Sequence, residues 1–328
     1  MNQGAARHDA VDSEGAGQRL DRWLRKRYPG VPQALLQRLL RSGQIRVDGS
    51  RAKADTRLVE GQQVRLPPRF QQAEPDRSSP PPDPQALQRL RDGLLFEDDW
   101  VLALNKPAGL AVQGGTGQSL SLDRIAAGLV AAGEPAPRLV HRLDRDTSGV
   151  LLMAKRASAA RALASSFEGR TARKLYFALV QGVPKRRAGR IDKALIKAGG
   201  DGQEKMRTDP EGQAAETLYA VAATAGTRAA LVVVAPLTGR THQIRAHLAA
   251  IGHPILGDSK YGATKGPKGS ATGLMLHAAE LAVPHPEDET TLRIAAPPPA
   301  DFVEACKRMG LDLGRVEAAR SQLEARGA

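Results

Sequence analysis

The chain has 328 residues, enough for two domains of ordinary size, and 41% of them are hydrophobic, which excludes wholesale disorder. Its net charge of +13 favours a polyanionic partner, whereas an aromatic content of 3% excludes extended base-stacking platforms. A single cysteine, Cys306, excludes an intramolecular disulfide, and no apolar run is long enough to cross a bilayer. Because the first residues also lack the apolar segment of a secretory signal, we expect a cytoplasmic protein without membrane partners. We also expect the protein to be a monomer.

The N-terminal part of the chain is predicted to be a small basic domain. Residues 1–17 are polar and rich in Gly and Ala, which predicts a disordered tail. Beyond them, two groups of apolar residues at helical spacing precede a hairpin with its turn at Asp48-Gly49. Between Arg19 and Arg65 there are twelve Lys/Arg but four Asp/Glu, so most of the excess charge lies here.

Such a charge run is usually a solvated face, but here it is interleaved with a compact apolar skeleton, which favours a phosphate-binding surface for RNA or DNA. The candidate contacts are Arg22, Lys26, Arg38, Arg41, Arg46 and Lys53.

Composition also predicts where the domains begin and end. A run of prolines among Gln, Ser and acidic residues is typical of an extended linker. The predicted segments are a tail at residues 1–17, a basic domain at 18–67, a linker at 68–86, a larger domain at 87–310 and an exposed C-terminal helix at 311–328.

The charged stretch Arg138–Gly149 immediately precedes the apolar run Val150–Ala154. A short apolar run next to turn-prone residues predicts a buried strand that is entered from a loop. Functional groups are often carried by loops anchored to the core in this way, although a solvated turn is the ordinary alternative. The two acids of the loop, Asp144 and Asp146, are both candidates for chemistry.

A second cluster, Thr238–Leu248, lies about a hundred residues further on and is predicted to form a helix that starts at Arg240 or Thr241. Arg245, one turn into that helix, is well placed to meet an acid from a neighbouring loop. The spacing of His242 and His247 does not match the H-E-x-x-H pattern, which disfavours a metal site and hence a metal-dependent nuclease.

Residues 174–180 alternate in the manner of a β-strand. Tyr176 lies on the opposite face from Leu175 and Phe177, so its hydroxyl is expected to point into a cleft or into solvent. Neither outcome is favoured by the pattern alone.

The remaining chemistry is that of a carboxylate. No metal ligand set, cofactor fingerprint or reactive cysteine is evident, so we expect no cofactor. A carboxylate kept ionised by a neighbouring guanidinium can act as a base or as a nucleophile at a sugar or ring carbon. The residues by themselves leave open which of the two acids, Asp144 or Asp146, has this role.

These stretches resemble the motifs of the RluA-type pseudouridine synthases. The matching segments, in chain order, are Lys106-Pro107 with Gly109, the stretch 138–149, the stretch 174–178, the stretch 239–247, Gly257-Asp258 with Tyr261-Gly262, and His277-Ala278. The resemblance spans residues 19 to about 304, with Val283 at a position where the family often has an aromatic residue.

The resemblance implies an α+β fold, with a mixed, mainly antiparallel sheet in the catalytic domain, and an RNA substrate whose target uridine is flipped into a central cleft. Asp144 is the implied nucleophile, attacking either the ribose anomeric carbon or the uracil ring. Arg245 is implied to pair with Asp144, and Tyr176 to pack on the base or transfer a proton. Arg142 and Lys106 are counted among the RNA contacts, and no cofactor or metal is implied.

The basic domain resembles the small S4-like RNA-binding domain, through Arg19–Leu24, the helix at 35–42 and Gly43–Gly49. Together with Val112–Gly115 and the chain length, this domain favours the RluC subfamily, which modifies 23S ribosomal RNA of the large subunit. The alternatives are the sister RluD subfamily, which has other ribosomal target sites, and a non-catalytic RNA-binding factor in ribosome assembly.

Overall fold

The computed structural model describes residues 6–28, 31, 33–70, 84–114, 121–131, 134–199, 205–262 and 273–327, and the structural statements below concern these residues. The chain divides into two compact units near residue 82. Each unit is described by itself.

The first unit contains two helices and a four-stranded antiparallel sheet. Its elements are β1 (Arg7–Ala10), α1 (Leu20–Arg27), α2 (Gln33–Arg41), β2 (Arg46–Val47), β3 (Ser50–Arg51) and β4 (Gln63–Leu66). The strand order is β1-β4-β2-β3. Apolar residues of both helices, such as Leu20, Trp23 and Leu36, are buried against the sheet. The predicted turn joins β2 to β3, where Asp48 and Gly49 both have positive φ, as a tight hairpin turn requires.

The tail predicted for residues 1–17 is wrong for residues 7–17, because β1 pairs along its length with β4. Asp9 on this strand is buried and accepts hydrogen bonds from Arg7, Arg27 and Tyr28. A polar composition therefore did not signal disorder here, since the acid of this strand is neutralised by partners that lie mostly elsewhere in the chain.

Both ends of the predicted linker 68–86 are also structured. Phe70 follows β4 in a 3₁₀ turn and is buried in the core of the first unit. At the other end, the first helix of the second unit begins at Pro84, a position where a missing N–H has no cost. The rest of the linker, residues 71–83, and residues 1–5 of the tail lie outside the described residues.

The second unit is built around a large mixed sheet. Its helices are α3 (Pro84–Asp92), α4 (Leu122–Ile125), α5 (Ala157–Glu168), α6 (Gln243–Ala250), α7 (Ala300–Met309) and α8 (Val316–Glu324). Its strands are β5 (Leu94–Glu97), β6 (Val101–Lys106), β7 (Arg138–Leu139), β8 (Ser148–Ala154), β9 (Arg173–Gln181), β10 (Ala188–Asp192), β11 (Leu195–Ala198), β12 (Lys205–Thr208), β13 (Glu216–Ala225), β14 (Ala229–Pro236), β15 (Leu276–Pro284) and β16 (Thr291–Ala295).

The strand order is β10-β13-β14-β9-β15-β8-β6-β5, with β16 beside β15 and β7 beside β8. Among the described strands, the pairing of β8 with β15 is parallel and the other pairings are antiparallel. The predicted fold class, a mixed and mainly antiparallel sheet, is therefore confirmed. The predicted strand at 150–154 is β8, which is buried throughout because it runs through the middle of the sheet.

Three local features depend on the fold of the second unit. Helix α4 is short and passes into a 3₁₀ turn at Ala126–Leu129. In the polar stretch 183–214, β11 and β12 form a separate hairpin while β10 joins the edge of the large sheet. The C-terminal helix α8 is not simply exposed, since Ala319 and Leu323 are buried against β13 and β14.

Gly149 is the tightest point of the sheet, where β8 meets β15. Its φ is +114°, and a Cβ there would lie 2.1 Å from the backbone oxygen of Ala278. We expect Gly149→Ala to lower the free energy of unfolding of the second unit by about 3–5 kcal/mol, because neither backbone can move without breaking the ladder. Gly226→Ala is the matched control: its φ is +58° but no atom lies within 4 Å of the added Cβ, so the cost should be about 1 kcal/mol. Equal losses in chemical denaturation would contradict this assignment.

Candidate active site

A loop that joins β7 to β8 carries Asp144, and the buried side chain of Lys106 is hydrogen-bonded to the backbone of this loop. The ammonium of Lys106 donates hydrogen bonds of 2.9 Å to three backbone oxygens, those of Pro107, Leu110 and Arg145. Burial lowers the pKa of Lys106 to about 8, against the opposing charges of Asp146 and Asp144. The prediction that Lys106 contacts RNA is therefore wrong, because the side chain is 0% exposed and its donors are used inside the protein.

His141, which belongs to the same loop, attaches it to strand β8. Its Nε2 accepts a 2.8 Å hydrogen bond from the backbone N–H of Leu152 on β8, and its ring stacks on Phe167 with 4.6 Å between centroids. Burial lowers the pKa of His141 to about 3, with a further contribution from the charge of Lys174. The ring is therefore neutral at pH 7, and its role is to bind the Asp144 loop to the sheet.

The two acids of this loop have different surroundings. The side chain of Asp144 is 19% exposed and lies at a cleft, whereas that of Asp146 is 58% exposed and meets Arg145 at 3.9 Å. The geometry thus distinguishes two residues that the sequence pattern left equivalent.

Arg245 lies on α6, and its side chain approaches Asp144. The distance from Arg245 Nη1 to Asp144 Oδ2 is 3.5 Å, so the predicted meeting of these side chains is confirmed. The bidentate contact belongs to a different acid: Nε and Nη2 of Arg245 each donate a 2.8 Å hydrogen bond to the carboxylate of Asp258. Burial lowers the pKa of Arg245, but the hydrogen bonds and charge of Asp258 and the charge of Asp144 outweigh that effect and raise it.

A hydrogen-bonded network fixes the start of α6. The side-chain oxygen of Gln243 accepts from Thr238 Oγ1 and from the backbone N–H of Arg240, while its nitrogen donates to Thr217 Oγ1. Thr217 and the backbone oxygen of Lys193 occupy both ring nitrogens of His247, at 2.9 and 2.8 Å. His247 therefore has no free nitrogen for a metal. Among the described residues, no group of three His, Cys, Asp or Glu side chains is placed to hold one.

His242 stands immediately before α6 with a left-handed backbone, φ +50°. The hydroxyl of Tyr261 accepts from the backbone N–H of Met206 and lies 3.0 Å from His242 Nδ1, so we assign the hydroxyl proton to that nitrogen. The other nitrogen, Nε2, then carries hydrogen and faces Asp144 Oδ2 at 3.8 Å. Burial lowers the pKa of His242 despite the charge of Asp144, which leaves the ring neutral at pH 7.

Tyr176 reaches the same cleft from β9. Burial raises the pKa of its phenol, and the charge of Asp144 raises it further. The hydroxyl therefore remains protonated at neutral pH and can donate a hydrogen bond or pack against a ring. The sequence pattern left a cleft and solvent open for this side chain, and the structure places Tyr176 among the residues that line the cleft.

The cleft that contains these groups has a volume of about 520 Å³. Asp144, Tyr176 and Arg245 line it, and the exposed Arg142 is also among its lining residues. A space of this size in contact with solvent can take a single flipped nucleotide.

The predicted RNA contacts of the first unit are all exposed. Arg22 and Lys26 lie on α1, Arg38 and Arg41 on α2, Arg46 on β2, and Lys53 after β3. They are not equivalent, because Lys26 is 2.7 Å from the carboxylate of Glu14. The structure describes no helix long and apolar enough to span a membrane.

Comparison with known proteins identifies the class. Residues 100–250 match the RNA pseudouridylate synthase family, and residues 18–64 match the S4 domain. The solved structure of human RNA pseudouridylate synthase domain containing 4 is similar, with a TM-score of 0.60 at 29% identity, over 70% of this chain and 97% of that chain. Human RNA pseudouridylate synthase domain containing 1 has a TM-score of 0.53 at 28% identity, over 63% and 83%.

Curated relatives cover most of the chain. The ribosomal large subunit pseudouridine synthase C of Vibrio vulnificus is 39% identical over 88% of this chain and 91% of its own length. The protein of the same name from Escherichia coli K12 is 41% identical over 88% and 92%. The chain therefore belongs to the RNA pseudouridylate synthase family and is an RNA pseudouridine synthase, an isomerase.

No role in the site was predicted for Asp258, His141 or His242. Asp258 is 1% exposed and neutralises Arg245, and its signal in the sequence was its place in the family-like segment Gly257-Asp258. Asp258→Ala should lower the free energy of unfolding by about 3–5 kcal/mol, because it leaves the guanidinium buried without its main partner. Asp146→Ala, at an exposed acid, is the control and should change it by less than about 0.5 kcal/mol. Similar values for both variants in denaturant titrations would contradict the central role of the buried pair.

Proposed function

We propose that this enzyme converts specific uridines of large-subunit (23S) ribosomal RNA to pseudouridine, with the carboxylate of Asp144 as nucleophile. The observation that carries the proposal is the position of Asp144 in the lining of the cleft, 3.5 Å from the charged Arg245. The relatives named as large-subunit synthases support this class of RNA.

The reaction rearranges one nucleotide without any net change in its atoms. The bond between uracil N1 and the ribose anomeric carbon breaks, and a bond from uracil C5 to the same carbon forms. The proton lost from C5 is balanced by the hydrogen gained at N1. A carboxylate oxygen of Asp144 bonds covalently to the ribose or to the ring, so that one difficult substitution is divided into two easier steps. No cofactor is needed for this balance.

The other site residues have supporting roles in the proposal. Arg245 compensates the charge of Asp144 as it changes during the reaction. The neutral phenol of Tyr176 packs on the flipped uracil or donates a proton to it. Arg142, exposed at the cleft, contacts the RNA at the position that the flipped base has left.

The first unit supplies affinity for the RNA backbone. Its exposed basic residues lie on both helices and the hairpin, and phosphate contacts by such residues strengthen binding independently of base sequence. One copy of the chain contains all the groups that the proposal uses, so we propose a monomer that acts in the cytoplasm on ribosomal RNA.

Asp144→Asn tests the nucleophile. The amide cannot form the covalent bond, so we expect release of tritium from carbon 5 of uridine in 23S ribosomal RNA to fall to less than about one-thousandth of the wild-type rate. Asp146→Asn is the matched control and should keep its rate within about threefold.

Activity of Asp144→Asn would refute the nucleophile. A wild-type enzyme that binds the RNA but releases no label would instead favour a non-catalytic assembly factor. Mapping of pseudouridines in ribosomal RNA from cells that lack the protein would distinguish RluC-like from RluD-like target sites.

The charge of the first unit is tested by neutralising Arg38 and Arg41 together. Replacement of both by Gln should weaken RNA binding and flatten the slope of log K against log salt by about 1.8, since each phosphate contact contributes about 0.9. Lys26→Gln is the control, and we expect a smaller change because Glu14 already neutralises that lysine. An unchanged slope in the double variant would mean that this face does not bind phosphate.

A further inference from the structure

Lys174 is a charged residue of the cleft to which no role has been assigned above. It lies on β9 two residues before Tyr176, so both side chains emerge from the same face of the strand, about 7 Å apart. Lys174 lines the cleft, and its ammonium is 3.9 Å from the position that a Cβ on Gly239 would take. It therefore faces the segment that precedes α6, across the cleft.

The ammonium of Lys174 has no acidic partner. Within the described part of the chain no carboxylate lies at ion-pair distance from it, and burial lowers its pKa without an opposing acid. The other buried cations of this unit differ in this respect. Arg245 is neutralised by Asp258, and Lys106 donates to three backbone oxygens.

The charged groups around this end of the cleft are mostly positive. Arg170 and Arg240 line the same space, and the nearby His141 is neutral. Glu168 is exposed and forms no ion pair with Lys174. A partly desolvated cation without a counter-ion is unfavourable in the free enzyme, so the site is electrostatically prepared for an anion.

Resting on the function proposed above, we propose that Lys174 binds a phosphodiester group of the RNA strand next to the flipped uridine. Phosphates are the anions that an RNA strand brings to the cleft, and a lysine ammonium suits them as a compact point charge. The separation between Lys174 and Tyr176 is of the order of one nucleotide. A uracil at Tyr176 therefore places a neighbouring phosphate within reach of the ammonium.

Two variants and a control test the contact. Lys174→Met keeps the length of the side chain but removes the charge. It should raise the KM for an RNA fragment about tenfold and flatten the salt slope of binding by about 0.7, with kcat changed less than threefold. Lys174→Arg should restore both values to near wild type. Arg173→Met removes a neighbouring exposed charge on the opposite face of β9 and should alter KM less than twofold.

Neutral methylphosphonate groups in the RNA provide the decisive measurement, because the change is made in the RNA and its effect on the wild-type enzyme does not depend on the stability of a variant. Replacing the contacted phosphate beside the target uridine should weaken binding by wild-type enzyme about tenfold and binding by Lys174→Met less than twofold. If every replacement weakens both proteins equally, or if Lys174→Met changes kcat alone, the phosphate contact is refuted. A wild-type enzyme that forms no pseudouridine in the unmodified fragment would refute the proposed function itself, so the two failures are distinguishable.

Discussion

The site depends on one guanidinium that is shared unequally between two carboxylates. Asp258, buried and bidentate, neutralises Arg245 and makes its burial tolerable. The remaining nitrogen faces Asp144 at 3.5 Å, a longer and weaker contact. If Asp144 held the bidentate position, both of its oxygens would be committed to the arginine. Because Asp258 neutralises the buried guanidinium, Asp144 is not held by a bidentate contact and can present an oxygen to the cleft.

The second constraint is the shape of the loop that carries Asp144. Lys106 and His141 both act on backbone groups, one by donating to the carbonyl of Arg145 and the other by accepting from the N–H of Leu152. Each buried side chain satisfies polar backbone that would otherwise be costly in the interior. Gly149 permits the close approach of β15 behind the loop. These interactions tie the loop that carries Asp144 to the sheet, as the positional accuracy required of the proposed nucleophile demands.

Affinity and chemistry are assigned to different parts of the chain. The segment from Arg19 to Arg65 in the first unit carries twelve Lys/Arg but four Asp/Glu, and its exposed basic residues can bind phosphates of any sequence. In the cleft, His141, His242 and Tyr176 are kept neutral by burial.

The sequence was sufficient for the sheet class and for the buried strand β8, and the family resemblance implied the meeting of Asp144 with Arg245. The periodicity of apolar residues indicates which face of a helix or strand is buried, and the motifs indicate which loops carry candidate site residues. The sequence did not predict that Asp258 is the main partner of Arg245, that Lys106 is buried, or that β1 pairs with β4. The physical reason is the same in each case: a charged or polar residue is buried or exposed according to the partner that reaches it, and that distance is decided only when the chain is folded.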